Sequence, residues 1–173
     1  MLAKHYRKKG FVVACQDEAT FGLLPHVVRG WAKRGSRPII RQNPQHKKID
    51  VIGARTKRTF VFSFCQSKNQ RTFVVFLKKL SQRWSKVCLF TDSAPYHKGK
   101  QIEQFLASHP KTFRIIYFLK YSPELNPVEP CWQPARKTTG NRLIPSINSM
   151  KYHLRKVFSK HSLLPKMFKY LSD

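Results

Sequence analysis

Apolar residues recur along this chain with two periods, and the switches between them mark out its elements. Phe11-Val12-Val13-Ala14-Cys15-Gln16 is a short run rich in strand formers, which predicts a buried strand ending at Asp17-Glu18. Lys48–Ala54 and Thr59–Phe64 predict two more strands, with Arg55-Thr56-Lys57-Arg58 as the turn between them. Side chains alternate along a strand, so Phe60, Phe62 and Phe64 share one face. From Asn69 to Trp84 the period lengthens. Phe73, Phe76, Leu77, Leu80 and Trp84 fall on a helical stripe, with Lys78, Lys79 and Arg83 opposite. Lys86–Thr91 returns to a buried strand that ends at Asp92. Gly99–Ser108 is helical, with Ile102, Phe105 and Leu106 on one side and Pro110 as its stop. Phe113–Leu119 predicts a fifth strand, Pro127 opens another helix, and weaker helical patterns cover 146–160 and 163–171. Between the first two strands, residues 22–38 hold Gly22, Pro25, Gly30, Gly35 and Pro38 among several arginines and lysines. That composition predicts a basic hairpin with Trp31 packed against it.

A meander of three strands followed by alternating helix and strand points to an α/β fold, a mixed five-stranded sheet flanked by helices. A chain of 173 residues suits one domain with a full core. The expected organisation is a basic lead-in over 1–10, one domain over 11–140, and basic C-terminal helices over 141–173 packed on or trailing it.

Charge changes the picture more than any other property. Lys and Arg number 34 against 8 Asp and Glu, a formal charge of +26. Such a field draws polyanions, and phosphate contacts release counterions, so nucleic acid is the expected partner. Charge alone leaves DNA and RNA equally open, a structural RNA binder included. Cys15, Cys65, Cys88 and Cys131 show no CxxC spacing, which excludes a zinc ribbon and fits a reduced, intracellular protein. No apolar run approaches the roughly 20 residues of a membrane span, and the N-terminus has no signal-peptide core, so a cytoplasmic protein with no membrane partner is expected.

In so basic a chain the few acids stand out. Asp17 and Asp92 each follow a buried strand, and Glu129 sits at a helix start. Strand ends that pair lie about 5 Å apart. Carboxylates gathered there repel unless a hard cation such as Mg²⁺ joins them, and two such ions about 4 Å apart serve phosphodiester chemistry. Each acid has a plainer role open to it. Asp17 suits a turn cap and Asp92 an Asx-turn. Glu129 suits a capping box, with Asn126 as the cap and Pro127 at the first helical position.

Four blocks in order resemble the DDE-superfamily endonuclease domain of mariner-like insertion-sequence transposases. They are Gln16-Asp17-Glu18, Gly30–Pro38 with Trp31, Phe90-Thr91-Asp92-Ser93-Ala94-Pro95-Tyr96-His97, and Tyr121-Ser122-Pro123-Glu124-Leu125-Asn126-Pro127-Val128-Glu129 with Trp132. The likeness covers about residues 11–140. It implies a ribonuclease-H-like fold and a triad of Asp17, Asp92 and Glu129 that is both catalytic and metal-holding. It also implies Mg²⁺ or Mn²⁺, as two ions, with cleavage of double-stranded DNA at transposon ends and strand transfer by the freed 3′-hydroxyl. A homodimer is the expected active form. The first strand starts near residue 11, so a helix-turn-helix region is expected on a separate polypeptide. The chain itself is then a second frame, a fragment or a decayed copy.

Arg29, Lys33 and Arg34 in the Trp-containing segment are expected DNA contacts, as are Lys98, Lys120, Arg136 and Lys137. His97 is expected either to touch a phosphate or to brace Asp92. Ser93 replaces the usual Asn of the second block, and Lys120 stands where the family tends to have Pro. Pro134 falls inside the predicted helix, where it costs roughly 3 kcal/mol or kinks it. A structure-specific nuclease on the same fold and a DNA-binding remnant are the competing functions.

Overall fold

A computed structural model describes residues 2–24, 26–118 and 126–160. Its elements are α1 (Leu2–Lys8), β1 (Val12–Gly22), β2 (Lys48–Arg55), β3 (Phe60–Cys65), α2 (Gln70–Arg83), β4 (Val87–Thr91), α3 (Lys100–Ser108), β5 (Phe113–Tyr117), α4 (Glu129–Thr139) and α5 (Ile147–Phe158). One sheet holds the strands in the order β3-β2-β1-β4-β5. β1 is antiparallel to β2 and parallel to β4, and β4 is parallel to β5.

Alternation along β1 divides the core into two layers. Val13, Cys15, Ala19 and Phe21 face α4 and α5, where they meet Trp132, Leu154 and Phe158. Ala14 faces the opposite side with Ile52 and Leu89, against Phe73, Phe76, Leu77 and Leu80 of α2 and Ile102 and Phe105 of α3. α2 is fixed at its start by a reciprocal capping box. Asn69 Oδ1 accepts from the Thr72 amide at 2.9 Å, and the Asn69 amide donates to Thr72 Oγ1 at 3.2 Å. α1 packs on the α4–α5 layer through Ala3, so residues outside the 11–140 stretch share that core.

Three expectations need correction. β1 does not end at Asp17. It runs on to Gly22, because β2 keeps pairing with it up to Gly22↔Lys48 after the parallel ladder to β4 stops at Cys15↔Phe90. The described residues of 23–47 form no strand and so no hairpin, and Trp31 is fully exposed rather than packed. The segment is instead tied down at two points. Asn141 takes the backbone amide of Val28 at 3.0 Å and donates to its carbonyl at 2.7 Å, while buried Asn43 donates to Ile144 O at 2.8 Å. The capping box at Glu129 does not form either. Asn126 turns its amide to the Gln16 carbonyl at 3.2 Å and accepts from the Val128 amide at 3.1 Å, so it pins the α4 start to β1. Pro134 lies inside α4 without ending it. The helix 163–171 lies outside the described residues.

Candidate active site

The two aspartates meet through sheet register. Cys15 is paired with Phe90 in the parallel ladder, so Asp17 and Asp92 each stand two residues beyond the last pair of the neighbouring strands β1 and β4. Asp17 points to the α4 side, where Trp132 Nε1 donates to its Oδ2 at 2.8 Å. Burial raises the Asp17 pKa to about 7. The indole bond opposes that rise, and repulsion from Glu18 and Glu129 adds to it. Glu129 is the first residue of α4 and is exposed. Among the described residues its carboxylate makes no hydrogen bond or ion pair, so it is unencumbered.

Asp92 follows β4 in an Asx-turn, with Oδ1 accepting from the Ala94 amide at 3.2 Å. His97 Nδ1 lies 2.7 Å from the same oxygen. That bond, with the Ala94 amide and Lys68 nearby, holds the Asp92 pKa below the usual carboxylate value against partial burial. His97 is completely buried, packed against Phe73 at 4.2 Å between ring centroids with the planes tilted by 38°. The expected phosphate contact by His97 is therefore corrected, because the ring has no path to solvent. Its Nε2 lies 2.9 Å from Glu18 Oε1. Burial pushes the imidazole pKa down, but the two carboxylates outweigh burial and raise it to about 9.

The other expected contacts fall in different places. Arg29, Lys33 and Arg34 are exposed on the segment between β1 and β2. Lys98 is exposed, its ammonium 4.9 Å from the Tyr117 ring centroid. Arg136 and Lys137 are in the last turn of α4, and Arg136 lines a cavity of about 350 Å³ with Thr20, Leu24 and His26. Lys120 and the stretch 119–125 lie outside the described residues. Asp17 and Glu129 lie on the α4 side of the sheet, whereas the Asp92 carboxylate turns to His97, and among the described residues no three such side chains are close enough to enclose an ion as they stand. Sequence reasoning missed two supports, Asn126 on Gln16 and Trp132 on Asp17. The signal was present in each case: a buried Asn or Trp carries a polar group that needs a partner.

Residues 12–151 match the family described as DDE superfamily endonuclease. The chain belongs to the DDE superfamily of endonucleases. This DDE domain is 31% identical over 128 residues to the insertion element IS630 uncharacterized 39 kDa protein of Shigella sonnei, an alignment of 71% of this chain and 37% of the relative. It shares the ribonuclease-H-like fold of the Mos1 transposase. The mariner Mos1 paired end complex with Mg superposes with a TM-score of 0.70 at 18% identity, over 94% of this chain and 53% of that one. The isolated catalytic domain of Mos1 mariner transposase gives 0.63 at 17% identity, over 92% and 76%. The DDE domain thus spans about a third of the curated relative and half of the Mos1 chain in its complex.

Proposed function

We propose that this DDE domain is the catalytic part of an insertion-sequence transposase, cutting DNA at transposon ends and joining the freed 3′-hydroxyl to a target. The observation that carries the reading is the placement of Asp17 and Asp92 each two residues past the last pair of the parallel β1–β4 ladder, with Glu129 opening α4 on the same side as Asp17. The donor set suits Mg²⁺ or Mn²⁺, since all three groups are hard oxygen ligands. Repulsion from Glu18 and Glu129 already raises the Asp17 pKa, a cost that a bound cation relieves. Asp17, Asp92 and Glu129 would hold the metal. Metal held there would supply activation of an oxygen nucleophile and stabilisation of the leaving oxygen of a phosphodiester.

The chain's own residues do the rest of the positioning. Trp132 fixes one oxygen of Asp17, His97 and the Ala94 amide fix Asp92, and Asn126 sets where α4 begins and so where Glu129 stands. Arg29, Lys33 and Arg34, with Lys98, Lys120, Arg136 and Lys137, hold the DNA backbone. Fully exposed Trp31 on the basic segment suits contact with a second copy of the chain in a homodimeric complex. A helix-turn-helix region supplies recognition of the ends. Cytoplasmic location, at the nucleoid in a prokaryote, follows from the DNA partner.

The test is nicking of duplex DNA carrying the element's own terminal repeats, with and without Mg²⁺ or Mn²⁺. Metal-dependent cuts at the repeat boundary, lost in Asp92→Ala, are expected. Cleavage of branched DNA regardless of ends would make the domain a structure-specific nuclease. Salt-sensitive DNA binding with no cleavage would make it a remnant.

A further inference from the structure

One acid has no place in the triad yet is the best-satisfied carboxylate of the region. Glu18 follows Asp17 on β1 and therefore points to the opposite face of the sheet. Its side chain is 5% exposed. Oε1 accepts from Gln16 Nε2 at 2.6 Å and lies 2.9 Å from His97 Nε2, and Oε2 accepts from Tyr96 Oη at 3.0 Å. Gln16 is itself held, since its Oε1 accepts from Thr91 Oγ1, and Thr91 Oγ1 is 3.1 Å from His97 Nδ1. These groups form a closed polar cluster behind β1 and β4.

Asp92 needs such support. Its side chain is 57% exposed and it lies past the end of β4, so packing does not set its rotamer. The ring of His97 does. That ring has one nitrogen on Asp92 and the other on Glu18, and Phe73 covers its face. We propose that Glu18 is a positioning residue for Asp92. It aligns the His97 imidazole, which holds the Asp92 carboxylate in the orientation the metal requires. A single strand then serves both aspartates, with Asp17 on one face as a ligand and Glu18 on the other bracing the second ligand. Outer carboxylates that orient an inner group through an imidazole commonly change metal affinity 10–100-fold when removed.

The proposal rests on the metal-site reading above, so the test has one arm that needs no metal. In the metal-free protein, a hydrogen-bonded ring N–H proton of His97 is expected downfield in the NMR spectrum, assigned by its loss in His97→Gln. Glu18→Gln and Tyr96→Phe should displace it. In the second arm, Mn²⁺ binding is measured by calorimetry. Glu18→Gln is expected to weaken it about 10–100-fold, with excess Mn²⁺ restoring nicking, while thermal unfolding stays cooperative. Tyr96→Phe, which keeps the carboxylate, gives a smaller loss and stands in if Glu18→Gln does not fold. A merely structural role for Glu18 lowers the melting temperature and leaves Mn²⁺ affinity within twofold of wild type; that result, or an undisplaced ring proton, overturns the proposal. If Asp92→Asn also leaves Mn²⁺ affinity unchanged, the metal-site reading itself has failed, and the ring proton alone decides the brace.

Discussion

Trp132 reaches Asp17 across a gap left by a glycine. The indole nitrogen donates to Asp17 Oδ2 at 2.8 Å, and the far edge of the ring lies over Gly53, the residue of β2 paired with Asp17. Replacing Trp132 with Phe keeps most of the ring packing against Phe21, Phe60 and Phe158 but removes the donor. The loss should cost about 1–3 kcal/mol where Asp17 is ionised, since a buried acceptor is left without its partner. At pH 5 the cost should be smaller, because the carboxyl is largely protonated. Urea unfolding at pH 5 and pH 8 measures the difference.

Gly53→Ala tests the same packing from the other side. A β-carbon there would lie 2.6 Å from Phe60 Cζ and 2.8 Å from Trp132 Cη2. Both neighbours are side-chain ends, so they move rather than break the strand. The expected cost is about 1–3 kcal/mol of overpacking. A red shift of tryptophan fluorescence, as the indole is pushed outward, would accompany it.

Asp17, Trp132 and Gly53 also mark where sequence reasoning reached its limit. Apolar runs rich in strand formers located all five strands, and a common sheet edge for Asp17 and Asp92 was expected from their places at two strand ends. The extent of β1 was not legible, because Ala19 and Phe21 are too few to show alternation beyond two acids. Asn126 matched a local capping signal, yet the structure uses it to reach the Gln16 carbonyl at a sequence separation no local rule covers. Trp31 shows the reverse problem, since aromatic character predicted packing where the described residues leave the ring fully exposed. Glu18 was legible only as a neighbour of Asp17; the structure puts it on the far face because β1 runs past it, and nothing in its own neighbourhood named His97 as the partner.

Acid titration should expose Asp17 directly. Its folded pKa is raised to about 7 from the ordinary value of 3.8, by burial first. The folded state therefore keeps a proton that the unfolded chain releases, and stability falls as pH rises from about 4 to 7. Asp17→Asn should flatten this part of the profile, and the difference between the two urea-midpoint curves isolates the group. His97 acts in a higher window. Its folded pKa is raised to about 9 from 6.5 by Asp92 and Glu18 against the effect of burial, so its stabilisation is complete below 6.5 and lost as pH rises through 9. His97→Gln should remove that second fall. At pH 7, Mg²⁺ should stabilise wild type and not Asp17→Asn.

The basic segment between β1 and β2 makes a quantitative claim on salt. Arg29, Lys33 and Arg34 are exposed and free of carboxylate partners among the described residues. Each phosphate that the protein ceases to neutralise should lower the slope of log K against log salt by about 0.9. Replacing all three with Ala should therefore reduce it by up to about 2.7 if every one touches a phosphate. Fluorescence anisotropy on labelled duplex from 50 to 300 mM salt, on the order of the range where such slopes are resolved, reads the change directly. A slope unchanged in the triple variant removes this segment from the DNA interface.

Glu129 separates fold from chemistry most cleanly. Its side chain is exposed, and neither a hydrogen bond nor an ion pair holds it among the described residues. Glu129→Gln should thus change stability by less than about 0.5 kcal/mol. The helix start survives the change, because Asn126, not Glu129, ties it to β1. If Glu129 is the third metal ligand, the same variant should slow Mg²⁺-dependent nicking by roughly 10²–10³-fold, the scale of losing one preorganised group at a reacting centre. Mn²⁺, which tolerates a neutral amide oxygen better than Mg²⁺ does, should recover part of the rate. Unfolding curves that superpose with wild type, together with an unchanged nicking rate, would leave Glu129 as a plain surface residue and move the third ligand elsewhere.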